Sequence, residues 1–514
     1  MHSHGVIAES IYMDKKKSLL NVTVSMAFRL ATMVMSILVR QALIRACGND
    51  VNGLNSLYLS IIGFLSVAEL GVGSAITFCM YRPIVEGDEQ KVGALYYLFR
   101  RLYCIIGGVI LLAGLALTPF IHHFARDYSQ LDVNLYSTFL LMLLSVVITY
   151  LFGAEISLIN AYKNNYITTT INSGGQLLQQ VLQILVLSVT GSFHGYLMCR
   201  IVAALVQWIA TRLITRKQYA LVLANRVRID AGTKQELTRN IRAMFMHNIG
   251  FMLVNTVDSV VIAGFVGVVA LGAYTNYTVI QSSMDSLIRL AFGSLTSVLG
   301  HLYVEKNKDT VRKYCETFHL LNFFLGTVFY LGYYAVADSI VAMLFGAELV
   351  GTKTISRMVA LNGFVQFMRR GTLTFRDATG TFYYDRWKPL LEGMTNLILS
   401  VILVNRIGVT GVIVATIITN LLICHIVEPY VLYKHALEAS PVKHYLRNYA
   451  MIGLFVLGML AMDRLTMTAD TYFMEFLRNG FLSVAVSLAL CAVVLILNAR
   501  LGGILLEALK RRKR

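Results

Sequence analysis

Stretches of roughly 20 residues free of Asp, Glu, Lys and Arg recur along this chain, at 51–68, 102–125, 133–154, 317–337, 407–427 and 479–499. About 20 mainly apolar residues is the length at which an α-helix crosses the hydrocarbon core of a bilayer. The run 164–199 is too long for one span and breaks at Gly191–Ser192. Adding spans interrupted by single charges predicts about fourteen helices, near 18–46, 51–80, 102–121, 134–160, 165–189, 194–214, 242–265, 272–303, 317–337, 355–376, 388–406, 410–433, 448–463 and 479–499. Composition agrees: 56% of the 514 residues are apolar and 14% charged, against about 25% charged in a soluble domain. An ordinary soluble enzyme and intrinsic disorder are both excluded. The predicted fold is an all-α polytopic membrane protein.

The formal charge of +17 is explained by topology before any nucleic acid is invoked, because cytoplasmic loops of membrane proteins collect Lys and Arg. With an even number of spans, about 31 of the 45 basic residues fall on one side: Lys15–Lys17, the segment between Arg82 and Arg101, Lys163, Arg212–Arg242, the segment between Lys306 and Lys313, Arg376, Arg386, Lys388, Lys434, Lys443, Arg447 and the tail Lys510–Arg514. About six (Arg45, Arg126, Lys353, Arg406, Arg464 and Arg478) fall on the other. Both termini are therefore expected in the cytoplasm, and the first apolar run is expected to be retained as a span rather than cleaved. Residues 1–12 read as an extension ahead of the basic flank at Met13. The seven cysteines lie singly in apolar runs without metal-ligand spacing. His2 and His4 carry no metal reading, and no metal or other cofactor is expected beyond possible H+ or Na+ coupling. No Walker, HExxH or GxSxG sequence occurs, so neither an ATP-driven pump nor a familiar hydrolase is supported.

The segment around Gly53 (GNDVNGLNSLYLSI) parallels that around Gly272 (GVVALGAYTNYTVI), each a short turn opening a long helix that ends in Tyr and a charged amphipathic stretch. TGSFHGYLMCR and IGVTGVIVATI occupy corresponding later turns. The implied organisation is a cytoplasmic tail (1–17), a six-helix half (18–214), a polar cytoplasmic linker (215–241), a second six-helix half (242–434), two additional helices (435–499) and a basic tail (500–514). Pseudo-symmetric halves of this kind serve alternating access in many secondary transporters.

A charge near the bilayer centre costs about 2.5–3.5 kcal/mol on the mildest scale, so it faces the bundle interior or water. Arg29 and Arg40 lie in the first predicted helix and Glu69 in the second; His247 and Asp258 lie in the first helix of the second half and Arg289 in the next. Each first helix carries its polar pair three turns apart, on one face, and aligning the halves sets Arg40 against Asp258 and Glu69 against Arg289. Two readings follow. Oppositely charged partners form structural ion pairs, or surplus arginines line a cavity and bind an anionic group while Asp258, Glu69 or His247 changes protonation. Arg200, Arg369 and Arg370 are weaker candidates, since adjacent residues 369 and 370 point about 100° apart on a helix. His425 and Glu428, near a helix end, read as interfacial.

The opening spans, LVRQALIRACGNDVNGLNSLYLSIIGFLSVAELGVGSAITFCMY, together with MHNIGFMLVNTVDSVVIAGFVGVVALGAYTNYTVI and YYDRWKPLLEGMTNLILSVILVNRIGVTGVIVATIITNLL, resemble Wzx-type polysaccharide flippases of the multidrug/oligosaccharidyl-lipid/polysaccharide exporter superfamily. The resemblance runs from about Met13 to Lys434. It implies a multi-pass protein of the bacterial cytoplasmic membrane that is not an enzyme and moves undecaprenyl-pyrophosphate-linked oligosaccharide by alternating access for capsule, exopolysaccharide or O-antigen assembly. It also implies Arg29, Arg40 and Arg289 as pyrophosphate ligands and Asp258, in TVDSVVI, as a functional carboxylate. The expected partners are the lipid-linked oligosaccharide, membrane lipids and polysaccharide polymerase or assembly proteins, with no nucleic acid. A cation-coupled MATE-type antiporter or a lipid II flippase keeps the same fold; a membrane glycan polymerase or ligase, or a non-transporting scaffold, are readings of other classes.

Overall fold

A computed structural model describes residues 26–66, 72–128, 132–224, 256–466 and 469–497. Among them there are helices and turns and no strand. The chain divides into two compact units, residues 1–252 and 253–514. The first holds α1 (Met26–Cys47), α2 (Asn49–Leu65), α3 (Val72–Glu86), α4 (Glu89–Leu117), α5 (Ile121–Phe124), α6 (Leu135–Thr149), α7 (Gly153–Ala161), α8 (Asn165–Thr190), α9 (Phe193–Gln218) and α10 (Ala220–Ala224). The second holds α11 (Thr256–Phe265), α12 (Val268–Glu305), α13 (Lys308–Phe345), α14 (Lys353–Thr379), α15 (Lys388–Thr419), a π turn (Asn420–Cys424), α16 (His425–His435), α17 (Val442–Leu465) and α18 (Tyr472–Leu497). Eight helical segments among the described residues have the length and apolar composition to cross a membrane. This is an all-helical multi-pass architecture.

The helix breaks sit where the backbone needs a residue without Cβ. Gly191 closes α8 in the left-handed region at φ 59°, and Ser192 then caps α9 by accepting a hydrogen bond from the Gly195 N–H at 3.3 Å. Glycine reaches that conformation at no steric cost. Within α15 the helical path is interrupted at Ile407 (φ −133°, ψ 22°) and Gly408 (φ 59°, ψ −141°). That interruption falls in the predicted gap between 406 and 410 and turns one 48-residue apolar segment, Lys388–His435, back on itself. The turn is tight enough that a Cβ at Gly411 would lie 2.4 Å from the Leu403 carbonyl oxygen.

Three local devices recur 219 residues apart, the spacing that separates Gly53 from Gly272. Gly48 (φ 93°, ψ 163°) precedes α2, and Gly267 (φ 128°, ψ 163°) precedes α12. Tyr58 and Tyr277 are fully buried on those helices. The Tyr58 hydroxyl donates to the Leu135 carbonyl at 2.7 Å, at the start of α6. The Tyr277 hydroxyl donates to Asp338 at 2.8 Å and accepts from the Gly351 N–H at 3.0 Å, just ahead of α14. Asp88 caps α4 and Asn307 caps α13, each accepting the backbone N–H three residues on at 2.9 Å. Such caps satisfy donors that the first helical turn leaves unpaired.

The core of the second unit is aromatic. Phe364 and Phe455 stack at 3.8 Å, and Phe292, Phe318, Phe367 and Phe375 meet edge to face. Small residues let α13 and α14 approach. A Cβ on Gly363 would lie 2.2 Å from the Tyr330 ring, and one on Gly326 would lie 2.7 Å from Phe367. Gly363→Ala is therefore expected to destabilise by about 1–3 kcal/mol, the usual range for overpacking. Gly293→Ala, where a Cβ meets nothing within 4 Å, should leave stability unchanged or raise it by up to about 1 kcal/mol through helix propensity. Thermal unfolding of the two purified variants checks the opposite signs.

Candidate functional site

In the first unit, Arg40 on α1 and Arg200 on α9 both lie within electrostatic reach of Tyr196, one turn before Arg200. Gln183 of α8 donates to the Tyr196 carbonyl at 3.3 Å. Gln180 donates to the Thr32 carbonyl at 3.2 Å, tying α8 to α1 below Arg40. Two guanidinium groups thus act electrostatically on one buried phenol. Guanidinium forks match phosphate oxygens in geometry and charge.

The second unit builds a related group. Arg289 of α12 and Arg370 of α14 act on Tyr330 of α13, whose hydroxyl is hydrogen-bonded to Asp285. Arg289 also donates to Ser286 at 2.9 Å and is exposed. Among the described residues Arg370 makes no ion pair within 4 Å. Two cations face one carboxylate here, so the group keeps a positive excess.

Adjacent Arg369 points elsewhere. It bonds Glu428 of α16 at 2.5 and 3.1 Å, Glu392 of α15 at 3.3 Å, and Asn420 at the π turn. Lys388 completes the group with Glu392 at 2.8 Å and Glu428 at 2.6 Å. All four charged side chains are at most 12% exposed, and two positive charges meet two negative ones. Buried charges persist when each is paired and hydrogen-bonded. The interfacial reading of His425 and Glu428 is corrected: Glu428 is 0% and His425 2% exposed. Pairing with Arg369 and Lys388 lets Glu428 sit inside, and His425 bonds the Val365 carbonyl at 3.0 Å and Asn448 at 2.9 Å.

Asp258 of α11 accepts from the Thr416 hydroxyl at 3.2 Å. The Thr416 oxygen accepts from Asn396 at 3.1 Å, and Asn396 accepts from Ser400 at 2.8 Å. Thr416 also lies 3.2 Å from the Val412 carbonyl. Its own carbonyl accepts from Asn420 at 2.8 Å, and Asn420 accepts from Arg369. A polar chain therefore runs from the Asp258 carboxylate to the Arg369 cluster. Among the described residues Asp258 forms no ion pair.

Of the remaining candidates, Arg29 is exposed on α1, while Glu69 and His247 lie outside the described residues. Sequence reasoning missed Asp285, Lys388 and Glu392 as site groups, although Asp285/Arg289 and Lys388/Glu392 both stand at the i,i+4 spacing of facing helical charges. It also missed Asp463, which Arg357 contacts at 2.5 Å and Tyr334 hydrogen-bonds; nothing in its local sequence marks that long-range pairing.

No family profile matches the chain, and no curated protein does. Solved structures do. An inward-facing multidrug resistance MATE family transporter of the MOP superfamily matches with a TM-score of 0.64 at 14% identity, over 84% of this chain and 98% of that one. The lipid II flippase MurJ in an inward closed conformation matches with a TM-score of 0.63 at 12% identity, over 93% and 99%. The MATE transporter VcmN of Vibrio cholerae gives 0.54 at 14%, over 82% and 98%. The fold is the one these transporters and this flippase share.

The neutral cluster generates its own test. Removing one member leaves an uncompensated buried charge, so Glu428→Gln and Arg369→Gln should each destabilise by about 3–5 kcal/mol. The double variant should lose less than the sum. Melting of the purified proteins measures this, and single variants as stable as the parent would show that the pairing does not hold α14, α15 and α16 together.

Proposed function

We propose that this protein is a flippase that moves undecaprenyl-pyrophosphate-linked oligosaccharide across the cytoplasmic membrane by alternating access, for assembly of a surface polysaccharide. The observation that carries the reading is that two arginines lie within electrostatic reach of each of two buried tyrosines, Arg40 and Arg200 at Tyr196 and Arg289 and Arg370 at Tyr330, on helices of a transporter fold. A lipid-linked pyrophosphate keeps its apolar tail in the bilayer while its anionic head needs a cationic polar route. Each arginine pair offers forked donors to a phosphoryl group, and the Tyr330 group holds a carboxylate that competes for the same cations. A cationic drug would meet the wrong sign at both groups.

In this reading Asp258 couples transport to an H+ or Na+ gradient. Support comes from its surroundings: a carboxylate without an ion pair among the described residues, beside the Thr416 hydroxyl, which itself adjoins the Val412 carbonyl and Asn396. Oxygen ligands of this kind suit a hard monovalent cation or a proton. A lipid II flippase is the second reading, favoured by the MurJ structure matching 93% of the chain, against 84% for the MATE transporter.

In a deletion strain, Arg40→Ala and Arg289→Ala are each expected to lower surface polysaccharide about 10- to 100-fold, the equivalent of one or two charge-assisted contacts, with the protein still in the membrane. Parent levels in both would remove the arginines from the mechanism. Accumulation of a lipid-linked oligosaccharide on depletion supports the first reading; accumulation of lipid II with lysis supports the second. Transport by Asp258→Asn should lose its response to imposed pH or sodium gradients, and an undiminished response would remove the coupling role.

A further inference from the structure

A cavity of about 360 Å³ opens in the first unit among α4, α7, α9 and α10, and none of the candidate site residues above lines it. Its charged walls are Arg100 of α4, Arg212 and Arg216 of α9, and Glu155 of α7. Arg212 and Arg216 are one turn apart on one face. Tyr97 donates to the Leu223 carbonyl at 2.6 Å and so holds α10 in place as one wall.

Three guanidinium groups confront a single carboxylate. Glu155 is 1% exposed, and one of its oxygens accepts from the Tyr96 hydroxyl at 3.0 Å, with Arg212 only approaching to 3.9 Å. The other oxygen is buried without a partner among the described residues. Arg100 and Arg216 likewise make no hydrogen bond or ion pair with a described residue. Among the described residues the walls therefore carry a surplus of two positive charges and forked donors without partners. In the second unit, α14 and α16 carry an acid–base pair, Arg369 and Glu428, and α15 begins with Lys388 and adds Glu392, so the charges cancel. The helix that precedes α9, as α15 precedes α16, begins with Asn165 and has no acidic or basic residue along its length. Among the described residues the charge in the first unit stays open.

We infer that this cavity is a binding site for a phosphate-bearing anionic head group, held by Arg100, Arg212 and Arg216, with Glu155 limiting its affinity. The volume lies within the range of about 300–1,000 Å³ typical of small-ligand sites, room for a phosphorylated head with its acyl chains left outside. Basic pockets between membrane helices on the cytoplasmic side take anionic phospholipid heads in this way, and the positive-inside distribution places this end of α4 and α9 on that side. The shared chemistry is a phosphate, arriving on a membrane lipid or free in solution.

The test uses the full-length protein in lipid nanodiscs of phosphatidylcholine alone or with cardiolipin, followed by native mass spectrometry, and in parallel thermal unfolding in detergent with inorganic pyrophosphate. The parent protein should retain cardiolipin or be stabilised by pyrophosphate, the first outcome assigning a lipid head and the second a soluble phosphate. Arg100→Gln with Arg216→Gln should weaken that binding about tenfold or more, as loss of charge-assisted bonds predicts. Lys217→Gln, exposed on the same helix end and outside the cavity, should leave it unchanged. Glu155→Gln should tighten binding severalfold by removing the opposing charge. Neither ligand binding, equal loss in Lys217→Gln, or loss of binding in a folded Glu155→Gln would each overturn the proposal. The doubly substituted arginine protein, altered only at partly exposed side chains, keeps it testable should Glu155→Gln fail to fold.

Discussion

A charge enclosed among membrane helices must be answered by an opposite charge, by hydrogen bonds or by water, because burial without an answer costs several kcal/mol per ion. The four groups of the second unit answer it in different ways. Arg369, Lys388, Glu392 and Glu428 cancel one another and leave no net charge. Asp463 is balanced by Arg357 and Lys353 near its helix end. Among the described residues Asp258 has only a hydroxyl, and Arg289 with Arg370 outnumber Asp285. The first two arrangements are complete by themselves. The last two are not balanced by opposite charges among the described residues, and that difference separates the scaffold from the candidate working parts.

Location of the helices was largely legible in the sequence, since the same dielectric penalty that organises the charges also removes them from the spans. The breaks were legible for a related reason: Gly191 and Gly408 stand where positive φ is required, and no other residue adopts it as cheaply. The spacing of the repeated turns was legible as well, and the backbone at Gly48 and Gly267 and the buried Tyr58 and Tyr277 keep it at 219 residues.

Partnership among the charges was not legible, because it depends on how each helix is rotated about its axis and on neighbours distant in sequence. Arg369 and Arg370 show the limit. Helical geometry separates their directions by about 100°, but only the packed structure gives Arg369 to α15 and α16 and Arg370 to α12 and α13. Glu428 shows the opposite failure. Its place near a helix end suggested an interface, whereas two cations from other helices draw it into the interior. Lys388 was counted among loop charges and belongs to the same buried group.

The polar chain from Asp258 to Arg369 joins these two kinds of group. Thr416 contributes its hydroxyl to Asp258 and its carbonyl to Asn420, and Asn420 contributes its amide oxygen to Arg369. Asn420 opens the π turn, where the helical ladder between α15 and α16 is loosened, and Pro429 removes a further backbone donor from α16. π turns and prolines are recurrent points of helix deformation. The neutral ion cluster therefore anchors α14, α15 and α16 at one end of the chain, and the Asp258 carboxylate, without an ion pair among the described residues, sits at the other, with the deformable turn between them. The turn is bounded on one side by a cluster whose own charges cancel.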